Sequence, residues 1–181
     1  LMLKNIKTGL LAVALSLCFE LIILNLFQES NTQLSFIGFA FHSLNLILFI
    51  LIAILFKNPV KSRVSNFKKG LTISIIFSLL ISIYFFSYHK WINPDFLINK
   101  KETLINLTSS EELFLEAEKK ISEDPDYYKG KSAEDLIEMQ QNNINEFLQP
   151  SKVFPISLFG FLLIGMMFTA IVAVSNHILN G

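Results

Sequence analysis

The sequence predicts an all-α, polytopic membrane protein with four transmembrane helices and a small helical insert between the third and the fourth. Composition is one reason, because 52% of the 181 residues are hydrophobic and only 17% are charged. One small core cannot cover that much apolar surface. The apolar residues also collect into four runs, each about as long as the roughly 20 residues that cross a bilayer as a helix. The predicted spans are about 9–27, 36–56, 71–88 and 154–179.

The first two predicted spans form a hairpin, joined by the polar turn 28–33. The second span ends near Pro59, because a proline inside a helix removes a backbone hydrogen bond. The third span ends among the aromatic residues Tyr84, Tyr88 and Trp91. Such side chains are typical of the membrane–water interface, so we expect the third span to leave the lipid there.

The distribution of charge predicts the orientation of the spans in the membrane. The segment 57–69 between the second and third spans carries five basic residues and no acid, whereas the insert 89–152 carries 13 acidic residues and eight lysines. Basic residues in short loops mark the cytoplasmic side of a membrane. We therefore expect the N-terminus and the C-terminus to be cytoplasmic and the insert to lie on the outer side.

The insert 89–152 is predicted to form three short helices. The first begins after Asn93, whose side chain can cap it, has Pro94 in its first position and runs to about Leu107. Capping-box spacings predict where the other two begin. These helices are 110–122, after the spacing of Ser109 and Glu112, and 133–148, after the spacing of Ser132 and Asp135. An insert of this size is small for an independent domain.

Polar residues inside the first hairpin form the candidate intramembrane site. Glu20 and His42 each lie about seven residues from the outer end of their spans, so antiparallel neighbours rising 1.5 Å per residue place them at one depth. A charge left there costs on the order of 3 kcal/mol. Asn25 and Asn45 add polar atoms to the same cluster. We favour a hydrogen-bonded clasp that fixes the hairpin or docks a partner span; the alternatives are a proton or cation relay and a site for a polar headgroup.

Small residues predict where the third and fourth spans pack. Helices in lipid approach closely through small side chains, since no hydrophobic effect drives them together. The predicted packing positions are Ser74, Ser78 and Ser82 on span three and Gly160 and Gly165 on span four. Pro155 is expected in the first turn of span four, where its missing amide has no helical partner.

The sequence offers no catalytic or ligand-binding motif. The acidic run 123–126 lacks the spacing of a calcium loop, because Tyr128 stands where a third oxygen ligand is needed. No paired nucleophile and base, metal-ligand spacing or glycine-rich phosphate loop is found. No nucleic-acid-binding fold accompanies the basic segment. We therefore expect no enzyme activity, cofactor, metal site or nucleic-acid partner.

The order of these elements resembles a known family. The resemblance is carried by two spans, a basic loop, a third span ending in aromatic residues, an acidic helical insert and a fourth span with proline and glycine. Its distinctive segment is Ile92-Asn93-Pro94-Asp95-Phe96. This arrangement is similar to an uncharacterised four-span inner-membrane family of Bacteroidota, known only as a domain of unknown function. The resemblance implies a bacterial inner-membrane location and a compact four-helix architecture, so that the insert would be periplasmic.

The apolar residues of the insert predict a role in assembly. Three short helices bearing Phe114 and Phe147 expose more apolar surface than the insert can bury alone. We expect these side chains to contact another membrane or envelope protein, or membrane lipid. The predicted function is a non-catalytic integral membrane subunit of an envelope complex. The alternative is a small transporter or lipid-binding protein that uses Glu20 and His42, which requires a continuous polar path through the bundle. The sequence sets neither the partner nor the oligomeric state.

Overall fold

The protein is helical throughout the residues that its structure describes. The computed structural model describes residues 2–26, 32–56 and 62–180, with side chains at 3–23, 37–56 and 62–178. Its α-helices are α1 (Met2–Leu26), α2 (Thr32–Leu51), α3 (Arg63–Ser87), α4 (Pro94–Thr108), α5 (Glu111–Glu123), α6 (Ala133–Phe147) and α7 (Pro150–Asn180). Short π-helical segments follow α2 at Ile52–Phe56 and α3 at Tyr88–Ile92. These ranges contain no strand, which confirms the all-α class.

Four of the helical stretches are long and apolar enough to cross a membrane. They cover Leu3–Ile23, Ile37–Phe56, Arg63–Ile92 and Pro150–Ile178. The protein is therefore a polytopic membrane protein with four candidate spans, as the four apolar runs predict. Of the predicted turn 28–33, residues 28–31 lie outside the described residues, whereas Thr32 and Gln33 already belong to α2, so that part of the prediction was wrong. The predicted helix end near Pro59 also lies outside the described residues.

The third of these helices begins earlier than its apolar run. The segment 57–69 is predicted to be a loop, but α3 already starts at Arg63. The carbonyl of Ser62 accepts a hydrogen bond from the amide of Asn66 at 3.1 Å, which closes the first helical turn. The prediction was wrong here because an apolar run marks where a helix meets lipid, whereas the helix continues through polar residues until its backbone pairing ends.

Helix α7 also begins before its apolar run. It starts at Pro150, so Pro155 lies inside the helix and not in its first turn. The expectation that Pro155 lies in the first turn and costs the helix little was therefore wrong. Inside the helix, a proline removes one backbone hydrogen bond. The first helical position is taken instead by Pro150, which needs no amide there.

Two compact units make up the chain. The bundle unit comprises Leu1–Phe85 and Phe154–Gly181, and the insert unit comprises Phe86–Val153. In the bundle unit, α1, α2, α3 and α7 pack around an apolar core. Its fully buried large apolar side chains are Leu46, Ile50, Ile54, Ile73, Phe77, Ile81 and Phe161.

The insert unit contains α4, α5 and α6, and capping bonds fix where each begins. The Asn93 side chain accepts from the amide of Phe96 at 3.2 Å. At α6, the amide of Asp135 donates to the Ser132 hydroxyl at 3.2 Å, and the amide of Ser132 donates to the Asp135 carboxylate at 2.7 Å. This reciprocal pair is the capping box that the sequence predicts.

Helix α5 differs by one residue from its predicted start. Its cap is Ser110, whose hydroxyl accepts from the amide of Leu113 at 3.5 Å. Ser109 is not the cap, because its hydroxyl donates to the carbonyl of Ile105 at 3.2 Å at the end of α4. Two adjacent serines made the two starts equivalent in sequence.

Candidate functional site

The polar cluster of the first hairpin is assembled between α1 and α2. The Oε2 atom of Glu20 and the Nε2 atom of His42 lie 3.0 Å apart, within hydrogen-bonding distance. His42 is fully buried, whereas the Glu20 side chain keeps 18% of its surface exposed. The structure thus brings together the two residues that residue counting places at one depth.

One helical turn deeper, a second polar contact joins the same two helices. The side-chain amide of Asn45 donates to the backbone carbonyl of Ala12 at 2.7 Å and to the hydroxyl of Ser16 at 2.6 Å. Asn45 and Ser16 are both buried. Since Asn45 follows His42 by three residues and Ser16 precedes Glu20 by four, the two contacts stack along one seam. This is the geometry of a clasp. The side chain of Asn25, predicted in the same cluster, lies outside the described residues.

Aromatic rings surround the imidazole of His42. The rings of Phe85, Phe161 and Phe41 lie edge-on to it, with centroids at 5.3, 6.2 and 6.3 Å. The remaining ring nitrogen, Nδ1, has no hydrogen-bond partner among the described residues. Glu20 is therefore the polar contact of His42 in the described part of the chain, and the rest of its surroundings are apolar.

The predicted packing positions differ in how closely other atoms surround them. Ser74, Ser78 and Ser82 are fully buried along one side of α3. A Cβ added at Gly165 would overlap the hydroxyl of Ser74, so α3 and α7 approach closely at that point. Gly160 was wrongly predicted as a packing residue, because a Cβ added there meets no atom within 4 Å.

Gly70 is a close-packing residue that the sequence did not single out. A Cβ added at Gly70 would overlap the side chain of Thr169 on α7. Gly70 precedes Ser74 by four residues, and Thr169 follows Gly165 by four, so both contacts belong to one crossing of α3 and α7. The signal in the sequence was a small residue at the position one turn before the serine row.

A buried lysine is the other feature that the sequence did not predict. Lys69 is 2% exposed, and its ammonium donates to the side-chain oxygen of Asn66 at 3.3 Å. Both residues belong to the first two turns of α3, in the segment predicted as a basic loop. Asn66 and Lys69 share a helix face by their three-residue spacing, which is the pattern that could have revealed this helix.

The interior of the bundle unit holds polar side chains beside its apolar core. Its described side chains that are both polar or charged and buried are Thr8, Ser16, His42, Asn45, Asn66, Lys69, Ser74, Ser78, Ser82, Thr169 and Asn176. In a membrane such residues face the interior of the bundle. Within 2–26, 32–56 and 62–180, no three His, Cys, Asp or Glu side chains converge as a metal site would require.

The predicted partner-contact residues of the insert unit differ in exposure. Phe147 keeps 61% of its surface exposed, whereas Phe114 is half-buried. The structure thus leaves Phe147 available for contact and places much of Phe114 against its own unit.

Electrostatic contacts on the surface of the insert unit are local. The hydrogen bond and the charge of Lys120, at 2.8 Å, lower the pKa of Glu116. Hydrogen bonds from Ser132 lower the pKa of Asp135. Both carboxylates are exposed; Glu116 pairs within α5, and Asp135 belongs to the capping box of α6.

Comparison with known proteins gives a family and no activity. Residues 7–175 match the family model described as "Protein of unknown function (DUF4199)". No curated protein and no solved structure matches the chain.

Proposed function

The chain belongs to the DUF4199 family, and we propose that it is a non-catalytic integral membrane subunit of a bacterial envelope complex. In this proposal the insert unit is periplasmic and binds another envelope protein. The bundle unit anchors it in the inner membrane. The Bacteroidota origin stays a prediction.

The observation that carries this proposal is the thin core of the insert unit. Every residue of 86–153 is described, yet the buried side chains among them are Tyr88, Leu97, Thr108, Ala117 and Ala133. Two of these five are alanines, which bury little area. Large apolar side chains remain outside, among them Leu115, Tyr127 and Phe147 at 58, 73 and 61% exposure. These apolar side chains stand exposed among acidic and polar ones, and this is the support for a partner-binding surface on the insert unit.

The arrangement of the bundle unit supports the orientation. Gly9 of α1 lies against Ile73 and Ile76 of α3. His42 contacts Glu20 of α1 and the ring of Phe85 of α3. The two helices therefore run in the same direction, and their N-terminal ends lie at one end of the bundle.

Basic residues mark that end. The exposed Lys4 and Lys7 lie near the start of α1, and the exposed Arg63 and Lys68 lie near the start of α3. Basic residues gathered at one end of a bundle favour placing that end in the cytoplasm. Reporter fusions test this placement: a fusion at Ser65 should be active inside and one at Glu118 outside. A cytoplasmic signal at Glu118 overturns the orientation and the periplasmic partner together.

A photo-crosslinking amino acid at position 147 tests the partner contact directly. In cells that express the full chain, we expect crosslinking from position 147 to one discrete protein. Position 145 is the control, because Asn145 is exposed on the same helix but points about 160° away. Crosslinks only to phospholipid, or equal crosslinks from both positions, contradict the subunit proposal.

A charge substitution separates lost contact from added charge. Phe147→Asp should abolish the crosslink that a second probe at Leu115 makes to the same partner, or reduce its recovery at least several-fold. Asn143→Asp adds the same charge one turn away on the same face without removing an apolar side chain. Equal losses with both substitutions would show that charge, and not the Phe147 side chain, determines recovery.

A further inference from the structure

We propose that the cavity between α5 and α6 of the insert unit binds one apolar side chain of a basic, amphipathic helix of the partner protein. This inference rests on the proposed function and deepens it, because it gives the chemistry of the partner segment. Three observations carry it: the size of the cavity, the charge of the two helices that line it, and the position of Phe147 on the same face of α6.

The cavity lies within the insert unit and has a volume of about 180 Å³. Its apolar lining comes from Leu113 and Ala117 of α5 and from Leu136 and Ile137 of α6. Ala117 is buried at 7% exposure, whereas the three larger residues are half-buried. Because the side chain of Ala117 is short, it leaves room between the helices that a larger residue would fill.

The volume of the cavity indicates what can occupy it. Sites for cofactors and drug-sized molecules usually measure about 300–1,000 Å³, so this cavity is too small for them. An apolar cavity of about 150 Å³ holds a benzene ring. The cavity therefore fits one leucine or phenylalanine side chain, which is how an anchor residue of a partner protein is bound at an interface.

Polar side chains complete the lining of the cavity. They are Glu116, Lys120, Tyr128 and Gln140. Lys120 pairs with Glu116 at 2.8 Å within α5, so its charge is matched on its own helix. An apolar floor beneath a polar rim is the arrangement of a small interface site.

The charge of the two helices favours a basic partner. Together α5 and α6 carry nine acidic residues and two lysines, a net charge of −7. The two lysines, Lys119 and Lys120, each pair with a glutamate of α5, and α6 has no basic residue. Negative charge of this density attracts a segment rich in lysine and arginine and repels anionic lipid headgroups. A basic protein segment is therefore favoured over a lipid surface.

Phe147 continues the same surface along α6. Leu136, Gln140 and Phe147 follow one another by four and then seven residues, so they lie on one face of the helix. The first two line the cavity, and Phe147 is 61% exposed. Seven residues of helix span about 10.5 Å, two turns. A partner helix lying along α6 thus places one apolar side chain in the cavity and a second, seven residues away, against Phe147.

Peptide binding to the full chain in nanodiscs of zwitterionic lipid tests this chemistry. The probe is a synthetic helical peptide of lysine and alanine with two leucines spaced like positions 140 and 147. We expect it to bind about tenfold tighter than a peptide of the same composition with its leucines on opposite faces. Replacing its lysines by glutamates should abolish binding, and added salt should weaken binding because it screens the charges.

Substitutions at the cavity separate this site from the rest of the surface. Gln140→Trp covers the cavity at an exposed position and should weaken peptide binding about tenfold. Asn142→Trp is the control, because Asn142 is exposed on the same helix but points about 160° away. Ala117→Leu fills the cavity from its floor and should weaken binding to a similar extent.

Crosslink mapping with the cellular partner distinguishes failure of this inference from failure of the proposed function. Photo-crosslinking amino acids at positions 140 and 147 should attach to one basic helical segment of one protein, at sites about seven residues apart. Attachment to an acidic segment, or to two unrelated segments, overturns this inference while the subunit function stands. If position 147 crosslinks no protein, the subunit function fails, and the peptide result alone decides the chemistry of the cavity.

Three peptide results would overturn the inference. The first is equal affinity for the two leucine arrangements, and the second is binding that Gln140→Trp and Ala117→Leu leave unchanged. The third is equal binding to nanodiscs without protein, which would show that the peptide binds lipid and not the cavity.

Discussion

In the bundle unit, polar side chains such as Asn45, Ser78 and Thr169 are buried while leucines remain exposed. In the insert unit, Thr108 is the one buried residue of polar type, and the exposed apolar side chains stand among acids and lysines. This difference in exposed side chains indicates whether each unit is surrounded by lipid or by water and protein. Exposed leucines on the outside, with buried polar side chains beside an apolar core, are the pattern of helices in lipid. The exposed Phe147 stands among the exposed polar side chains of Asn143, Asn145 and Glu146, and in the proposed function it contacts a protein partner.

The largest expected effect tests how much the small core of the insert unit contributes to the stability of that unit. Leu97→Ala removes the largest aliphatic side chain buried there and should destabilise the unit by about 2–3 kcal/mol. Hydrogen exchange of the full chain in detergent should show faster exchange in α4, α5 and α6. Phe147→Ala, at an exposed position, should change exchange by about 0.5 kcal/mol or less. Similar effects from both would break the distinction between core and contact surface.

The next effect tests the crossing of α3 and α7. Gly165→Ala places a methyl group against the Ser74 side chain and should lower the stability of the bundle unit by about 2 kcal/mol. Gly160→Ala is the matched control on the same helix, since open space surrounds it. Thermal unfolding in detergent should separate the two variants by several degrees. Equal unfolding temperatures would show that α7 does not approach α3 as closely as the structure describes.

A smaller effect is expected from the clasp. Asn45→Ala removes both hydrogen bonds to α1 and should lower stability by about 1 kcal/mol, since interhelical hydrogen bonds contribute modestly in membranes. Ser43→Ala is the control, because the Ser43 hydroxyl bonds only to the carbonyl of Phe39 within its own helix. If Asn45→Ala is as stable as Ser43→Ala, the Asn45 hydrogen bonds do not stabilise the contact between α1 and α2, and only the Glu20–His42 contact remains as its polar stabilisation among the described residues.

The features that the sequence predicted correctly depend on residues close together in the chain or on the thickness of the bilayer. The starts of α4 and α6 were predictable because their caps use residues three positions apart, such as Ser132 and Asp135. The four spans were predictable because a bilayer sets their length. The meeting of Glu20 and His42 followed from counting residues in an antiparallel pair.

The errors fall where packing between distant helices decides the outcome. Gly160 and Gly165 are the same residue type on the same helix, and only the position of Ser74 distinguishes them. Lys69 looked like a loop residue because its burial depends on neighbouring helices and not on local sequence. Pro155 was misplaced because the helix start depends on Pro150.

The smallest expected effect concerns one hydrogen-bonded carboxylate of the insert unit. The backbone amide of Ser132 is the main cause that lowers the pKa of Asp135 below its usual 3.8, and the Ser132 side chain adds to it. A carboxyl whose pKa falls on folding stabilises the native state at pH values above its unfolded pKa. That contribution is lost as the pH drops through the lower folded pKa, so the start of α6 should fray in acid. Ser132→Ala removes the hydroxyl but keeps the amide, so an NMR titration should find the pKa of Asp135 raised and still below 3.8. A value fully restored to 3.8 would show that the hydroxyl, and not the backbone, holds this charge, and an unchanged value would show that the hydroxyl contributes nothing.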